Sequence, residues 1–156
     1  TRTEFMLGKQ LPYLLLSLLN FAMMVLLAVT VFDVPLTGSL AALTVAMVLF
    51  SLSATGLGLM ASALVRSQLA AMFFTMIGTM LPAIQFGGLI NPVSSLEGAG
   101  RWIGEIYPAS HMFTISRGVF NKALGFADLG ASFVPLLLAP VVILGLAIAL
   151  LRKQER

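Results

Sequence analysis

The stretch Leu40–Leu64, LAALTVAMVLFSLSATGLGLMASAL, runs for 25 residues without an Asp, Glu, Lys or Arg. As a helix rising 1.5 Å per residue it measures about 37 Å, enough to cross a hydrocarbon core of about 30 Å. Three more stretches of this kind surround it: Leu11–Phe32, Leu69–Ile90 and Ser132–Leu151. All fifteen charged residues, nine basic and six acidic, lie outside the four. A buried soluble core accounts for one such stretch but not for four in 156 residues. The reading is an all-α fold, a polytopic membrane helical bundle with four transmembrane helices in one domain over residues 1–156. Each helix bonds its own backbone groups, as lipid demands.

Composition agrees. Hydrophobic residues make up 59% and charged residues 10%, against about 25% charged in soluble domains. Mean hydropathy is +1.02. The net charge of +3 forms no basic stripe, so it reads as membrane topology and not as nucleic-acid binding. There is no cysteine, which excludes disulfides and cysteine metal sites. No phosphate-binding Gly-rich loop with Lys-Ser/Thr and no His-Glu-x-x-His occurs. The single histidine, His111, has no second ligand type beside it, and ring packing at headgroup depth is its ordinary role. Nothing in the pattern points to catalysis or to a metal. The chain opens on Thr1 with no signal-peptide pattern, and its start is expected to be a cut inside a longer, N-terminally truncated protein.

Four spans put both termini on one side. Arg2, Lys9, Arg66, Arg152, Lys153 and Arg156 then share that side, and Arg101, Arg117 and Lys122 lie on the other. The positive-inside rule makes the terminal side cytoplasmic. Short links, Asp33–Ser39 outside and Val65–Gln68 inside, make the first three helices neighbours.

The outer segment from Asn91 to Ala131 is different. Asn91-Pro92 stops the third span. Leu96, Ala99, Ile103 and Ile106 recur at helical spacing, with Glu97, Arg101 and Glu105 four apart on another face. Tyr107-Pro108 breaks this helix, and a second amphipathic run places Met112, Phe113, Ser116, Val119, Phe120 and Ala123 on one side. Neither run is long enough to span. Two short external amphipathic or re-entrant helices over about 93–124 are expected, dipping into or lying on the outer interface. Trp102 and Tyr107 suit headgroup-level anchoring.

Within the spans, Ala54, Gly58 and Ser62 share a face suited to close helix packing or a subunit interface. Gly78, Pro82 and Gln85 share a face of the third span, where Pro82 removes a backbone hydrogen bond. Gln85 and Asn20 are polar amides in apolar spans, either bonded between helices or lining a pathway. Met72, Met76 and Met80 form an adaptable stripe that serves packing or apolar ligands. Pro140 is expected to kink the last span.

Taken in order, several pieces resemble the membrane subunit of ABC-2 type ATP-binding-cassette exporters. They are Glu4-Phe5-Met6-Leu7-Gly8-Lys9-Gln10-Leu11-Pro12-Tyr13, Leu57 through Gln68, Gly87-Gly88-Leu89-Ile90-Asn91-Pro92, and Tyr107 through Phe113 with Arg117-Gly118. The bacterial multidrug-export-type permease is the closest flavour. The resemblance covers the whole chain and corresponds to the last four of that family's six spans.

It implies a permease subunit of the bacterial inner (plasma) membrane that pairs with a second permease subunit and docks separate ABC ATPase subunits. No cofactor is then bound by this chain, and ATP and Mg sit on the partner ATPases. Arg2, Glu4, Phe5 and Lys9 would belong to the ATPase-coupling edge, and charges that hold the span in register are the plainer alternative. Trp102, Tyr107, Pro108, His111 and Arg117 would shape an external cap over the exit. The substrate implied is amphipathic or hydrophobic. A non-transport membrane scaffold is the alternative, followed by an ion-coupled transporter, which the charge-free spans disfavour.

Overall fold

The computed structural model describes residues 2–154, with side chains from 3 to 150. Four long helices match the four apolar stretches: α1 (Arg2–Thr30), α2 (Leu40–Leu64), α3 (Gln68–Phe86) and α6 (Gly130–Gln154). All four are long and apolar enough to cross a membrane. Between α3 and α6 lie a 3-10 turn (Val93–Ser95) and two short helices, α4 (Gly98–Ile106) and α5 (Pro108–Lys122). The described residues contain no strand.

Helix α2 coincides with the stretch read from the sequence, starting after Ser39, whose hydroxyl accepts from the Ala42 N–H. Helix α1 begins earlier than its apolar stretch, so Glu4, Phe5 and Lys9 ride on the same rod as the first span. The Lys9 ammonium reaches back over the Phe5 ring, 4.9 Å from its centroid. Helical side chains lean toward the N-terminus, so this lysine carries its charge toward the terminal side. The side chain of Arg2 lies outside the described residues. Helix α3 stops at Phe86, before Ile90, where the Gly87-Gly88 pair ends it.

α2 is the hub, packing on α1, α3, α5 and α6. The core cluster consists of Leu43 and Ala46 from α2, Met112, Ile115 and Val119 from α5, and Leu129 and Leu136 at and within α6. Helix α5 is therefore part of the interior. The sequence placed Met112, Phe113, Ser116, Val119, Phe120 and Ala123 on one face of α5; Met112 and Val119 are buried together with Ile115, while Phe113, Ser116 and Phe120 are half-buried and Ala123 is exposed. Ile115 joins the buried set because α5 is wedged between α2 and α6.

Helix α1 is held differently. Its buried side chains are Met6 and Gln10, one turn apart. Gln10 Nε2 donates to the Leu52 carbonyl (3.3 Å) and to Thr55 Oγ1 (3.1 Å). Two turns on, Ser17 Oγ donates to Ser51 Oγ at 2.9 Å. This polar seam ties α1 to α2 where apolar burial is sparse. Gln10 Oε1 is buried and has no hydrogen-bond partner.

Candidate functional site

The segment 93–124 folds as a hairpin whose tip is Tyr107-Pro108. Proline keeps the residue before it out of the helical region, and Tyr107 is extended at φ −71°, ψ 127°. Pro108 then occupies the first turn of α5, where its missing N–H costs nothing. At the far end Ala123 takes a left-handed conformation, φ 54°, that turns the chain off α5.

The hairpin dips. Its tip residues Tyr107, Pro108 and Ala109 share a cavity of about 470 Å3 with Phe50, Ser53 and Leu57, in the middle of α2. Tyr107 Oη donates to the Thr79 carbonyl at 2.7 Å, and Thr79 lies about 10 Å of helix rise inside the end of α3. From the tip, α5 climbs about 22 Å back to the link between α1 and α2. There the Gly38 N–H donates to the Val119 carbonyl (2.8 Å) and the Ser39 N–H to the Leu124 carbonyl (3.2 Å). The tip thus packs against the middle of α2 and does not lie along the ends of the long helices.

Lipid offers no water to bond loose backbone groups, so a re-entrant element must bring its own partners. This one does so at both ends. Phe86 is the last residue of α3, and its carbonyl accepts from Ser110 Oγ at 3.3 Å. The Leu89 carbonyl accepts from Arg117 Nη2, also at 3.3 Å. Reciprocally, Thr37 Oγ1 donates to the Val119 and Phe120 carbonyls in the last turn of α5 (3.3 and 3.0 Å). Two glycines permit the fit. A Cβ on Gly38 would lie 2.6 Å from the Leu124 oxygen, and one on Gly104 would lie 2.7 Å from the Phe86 oxygen.

The descending helix α4 carries an exposed ion pair along the side of the bundle. On α4, Arg101 Nε pairs with Glu105 Oε1 at 2.8 Å, with both side chains about half exposed. His111 Nε2 donates to the Glu105 carbonyl at 2.7 Å, since a carbonyl can only accept. Helix α4 packs through Gly100 and Gly104 against Phe86 and Val93. Its larger side chains, Trp102 and Ile106, instead face a groove of about 610 Å3 shared with Val134, Leu138 and Val142 of α6, with Glu105 on its lining. Ionisable groups at membrane depth mark pathways or interfaces. The sequence paired Arg101 with Glu105 and put His111 in the external cap, and the His111 contact to the Glu105 carbonyl joins them.

The residues singled out beforehand are dispersed. Tyr107, Pro108, Met80 and Ala54 meet at the tip cavity. Trp102 lies on the α4–α6 groove and Arg117 against the loop after α3. Gly58, Ser62, Met72 and Met76 line a separate cleft near the α2–α3 turn. Asn20 and Gln85 are exposed on α1 and α3, as is Gly78. Pro82 is half-buried and Pro140 is buried. Sequence reading missed Gln10, Ser110 and Thr37 as structural anchors. For Gln10 a signal existed, an uncharged polar residue one turn from Met6 at the edge of an apolar stretch.

The family model for "ABC-2 type transporter" matches residues 1–121. The chain belongs to the ABC-2 type transporter family. Among the relatives of this ABC-2 chain is the probable multidrug ABC transporter permease YbhS of Escherichia coli (strain K12). It is 33% identical over 120 residues, 77% of this chain and 32% of the relative. The probable multidrug ABC transporter permease YbhR of the same organism is 27% identical over 154 residues, 99% of this chain and 42% of the relative. ABC transporter G family member 20 of Dictyostelium discoideum is 24% identical over 156 residues, 99% of this chain and 21% of the relative. The chain thus spans less than half the length of each of these relatives. No solved structure matches it. With four spanning helices and this family, it is a multi-pass membrane protein of a transporter.

Proposed function

We propose that this chain is the membrane-embedded portion of an exporter's permease subunit, in the bacterial inner membrane with both termini cytoplasmic. It moves an amphipathic or hydrophobic substrate outward, with ATP and Mg held by separate ABC ATPase subunits and a second permease subunit completing the path. The carrying observation is the re-entrant hairpin. It brings Tyr107 and Glu105, with Arg101 and His111 bonded to Glu105, beside an apolar groove that reaches Leu57 in the middle of α2. Family membership and relatives named as multidrug permeases support the reading.

The packing suggests how motion travels. Glu4, Phe5 and Lys9 sit on the terminal-side extension of α1, where a docked ATPase would push. Met6 and Gln10 pin that extension to the bundle, and Gln10 bonds directly to α2. Helix α2 shares its core with α5. A tilt of α1 therefore passes through α2 to the hairpin and changes the width of the tip cavity.

The test is reconstitution of the full-length protein with its cognate ATPase in proteoliposomes. ATP-dependent export of an amphipathic dye, reduced at least tenfold by Glu105→Gln at unchanged protein level, is the expected result. Failure to associate with any ATPase, together with no nucleotide-dependent transport, would sink the proposal. Transport driven by an ion gradient without ATP would favour the ion-coupled alternative.

A further inference from the structure

A cleft of about 790 Å3 opens beside the α2–α3 turn, and Thr75 lines both it and the cavity at the hairpin tip. Its lining changes character along its length. At the turn stand Ser62, Arg66, Ser67 and Gln68, and farther along α3 stand Met72 and Met76. The four polar side chains are exposed, and none makes a side-chain hydrogen bond or ion pair with another described residue. Helix α3 turns no buried side chain into the bundle.

We infer that this cleft holds an anionic phospholipid of the leaflet on the terminal side, cytoplasmic in the orientation proposed above, on which this siting rests. Arg66 supplies the charge that complements the phosphate, and Ser62, Ser67 and Gln68 supply uncharged donors around it. The acyl chain lies along Met72 and Met76, whose flexible thioethers tolerate a chain of variable shape. Charge complementarity decides the occupant. A cationic or neutral amphipath would leave the Arg66 guanidinium uncompensated at the membrane surface, and a cytoplasmic leaflet rich in anionic lipid meets it. Its lining holds no residue of α5 and none of the core cluster.

The full-length protein, purified in mild detergent with equal phosphatidylglycerol and phosphatidylcholine, tests this by native mass spectrometry of retained lipid. Wild type should retain phosphatidylglycerol selectively. Arg66→Gln should lower its retention about fivefold, the effect of one surface arginine, and Arg66→Lys should restore most of it. Equal retention of the two lipids, or no loss in Arg66→Gln, overturns the inference. Displacement of the lipid by millimolar inorganic phosphate also overturns it, because the site would then hold a free anion. In a full-length protein cleared of any cysteine outside this stretch, Ser67→Cys reports sidedness, and labelling from outside the cell would overturn the leaflet assigned. Lipid retention is read without ATP or an ATPase, so its failure and a failure of the transport reading are separate results.

Discussion

Helices α2 and α3 are adjacent, charge-free and both able to span a membrane, yet their surroundings are opposite. A third of the most apolar part of α2 is buried and none of that of α3. The buried face of α2 is built from Ala42, Ala46, Ser53, Gly56 and Ala61 among others, residues small enough for backbones to approach. Helix α3 presents Met72, Phe73, Phe74, Met76, Ile77 and Leu81 to its surroundings. Hydropathy is nearly blind to this difference, because lipid and a helical neighbour are about equally apolar. Side-chain size carries the signal instead.

That contrast can be broken or sharpened by substitution, with thermal unfolding in detergent as the measurement. Ile115 of α5 is fully buried against the α2 face. Ile115→Ala should cost about 2–5 kcal/mol by leaving a cavity. Gly38→Ala should cost about 1–3 kcal/mol, because its methyl would meet backbone atoms of Val119 and Leu124 that cannot step aside. Tyr107→Phe removes one hydrogen bond to α3 and should cost about 0.5–1.5 kcal/mol. If it costs nothing, the tip is held by packing alone. Met76→Ala, on the exposed face of α3, should stay within about 0.5 kcal/mol. A cost matching that of Ile115→Ala would mean that another protein surface covers α3 in the detergent-solubilised particle.

Gln10 offers a finer probe of how α1 is attached. Its Nε2 is bonded twice while Oε1 is buried without a partner. Gln10→Leu gives up two hydrogen bonds but also removes an orphaned acceptor, terms of similar size and opposite sign. The expected stability change is below about 1 kcal/mol. Nucleotide-dependent transport should nonetheless fall, because the polar link from α1 to α2 is gone. Equal transport in both proteins would dissociate the seam from coupling.

Much of the fold was legible because it depends on short-range facts. A charge-free run of sufficient length reads as a spanning helix whatever its neighbours are, and Tyr107-Pro108 is a helix-stop signal that the chain obeys, whereas Leu81-Pro82 and Ala139-Pro140 continue as helix. The packing face of α5 was legible in Met112, Val119 and Phe120, but not what covers it, because amphipathicity alone gives the same pattern for a helix lying on an interface and for one wedged between two others. Arg101 and Glu105 were read correctly as an i,i+4 pair, and their spacing is intrinsic to α4. Their depth is not intrinsic.

The sequence alone thus determined four spans, the links between them and a broken helix pair before the last one. Each follows from local composition and backbone chemistry. Only the tertiary structure decided that the tip of the pair packs against the middle of α2 and that α5 joins the core. Those outcomes rest on contacts between distant residues, Thr37 and Gly38 with Val119, Tyr107 with Thr79 and Ser110 with Phe86. In each, a backbone group that lipid would leave unbonded finds its partner across the fold, and no local pattern encodes which partner that is.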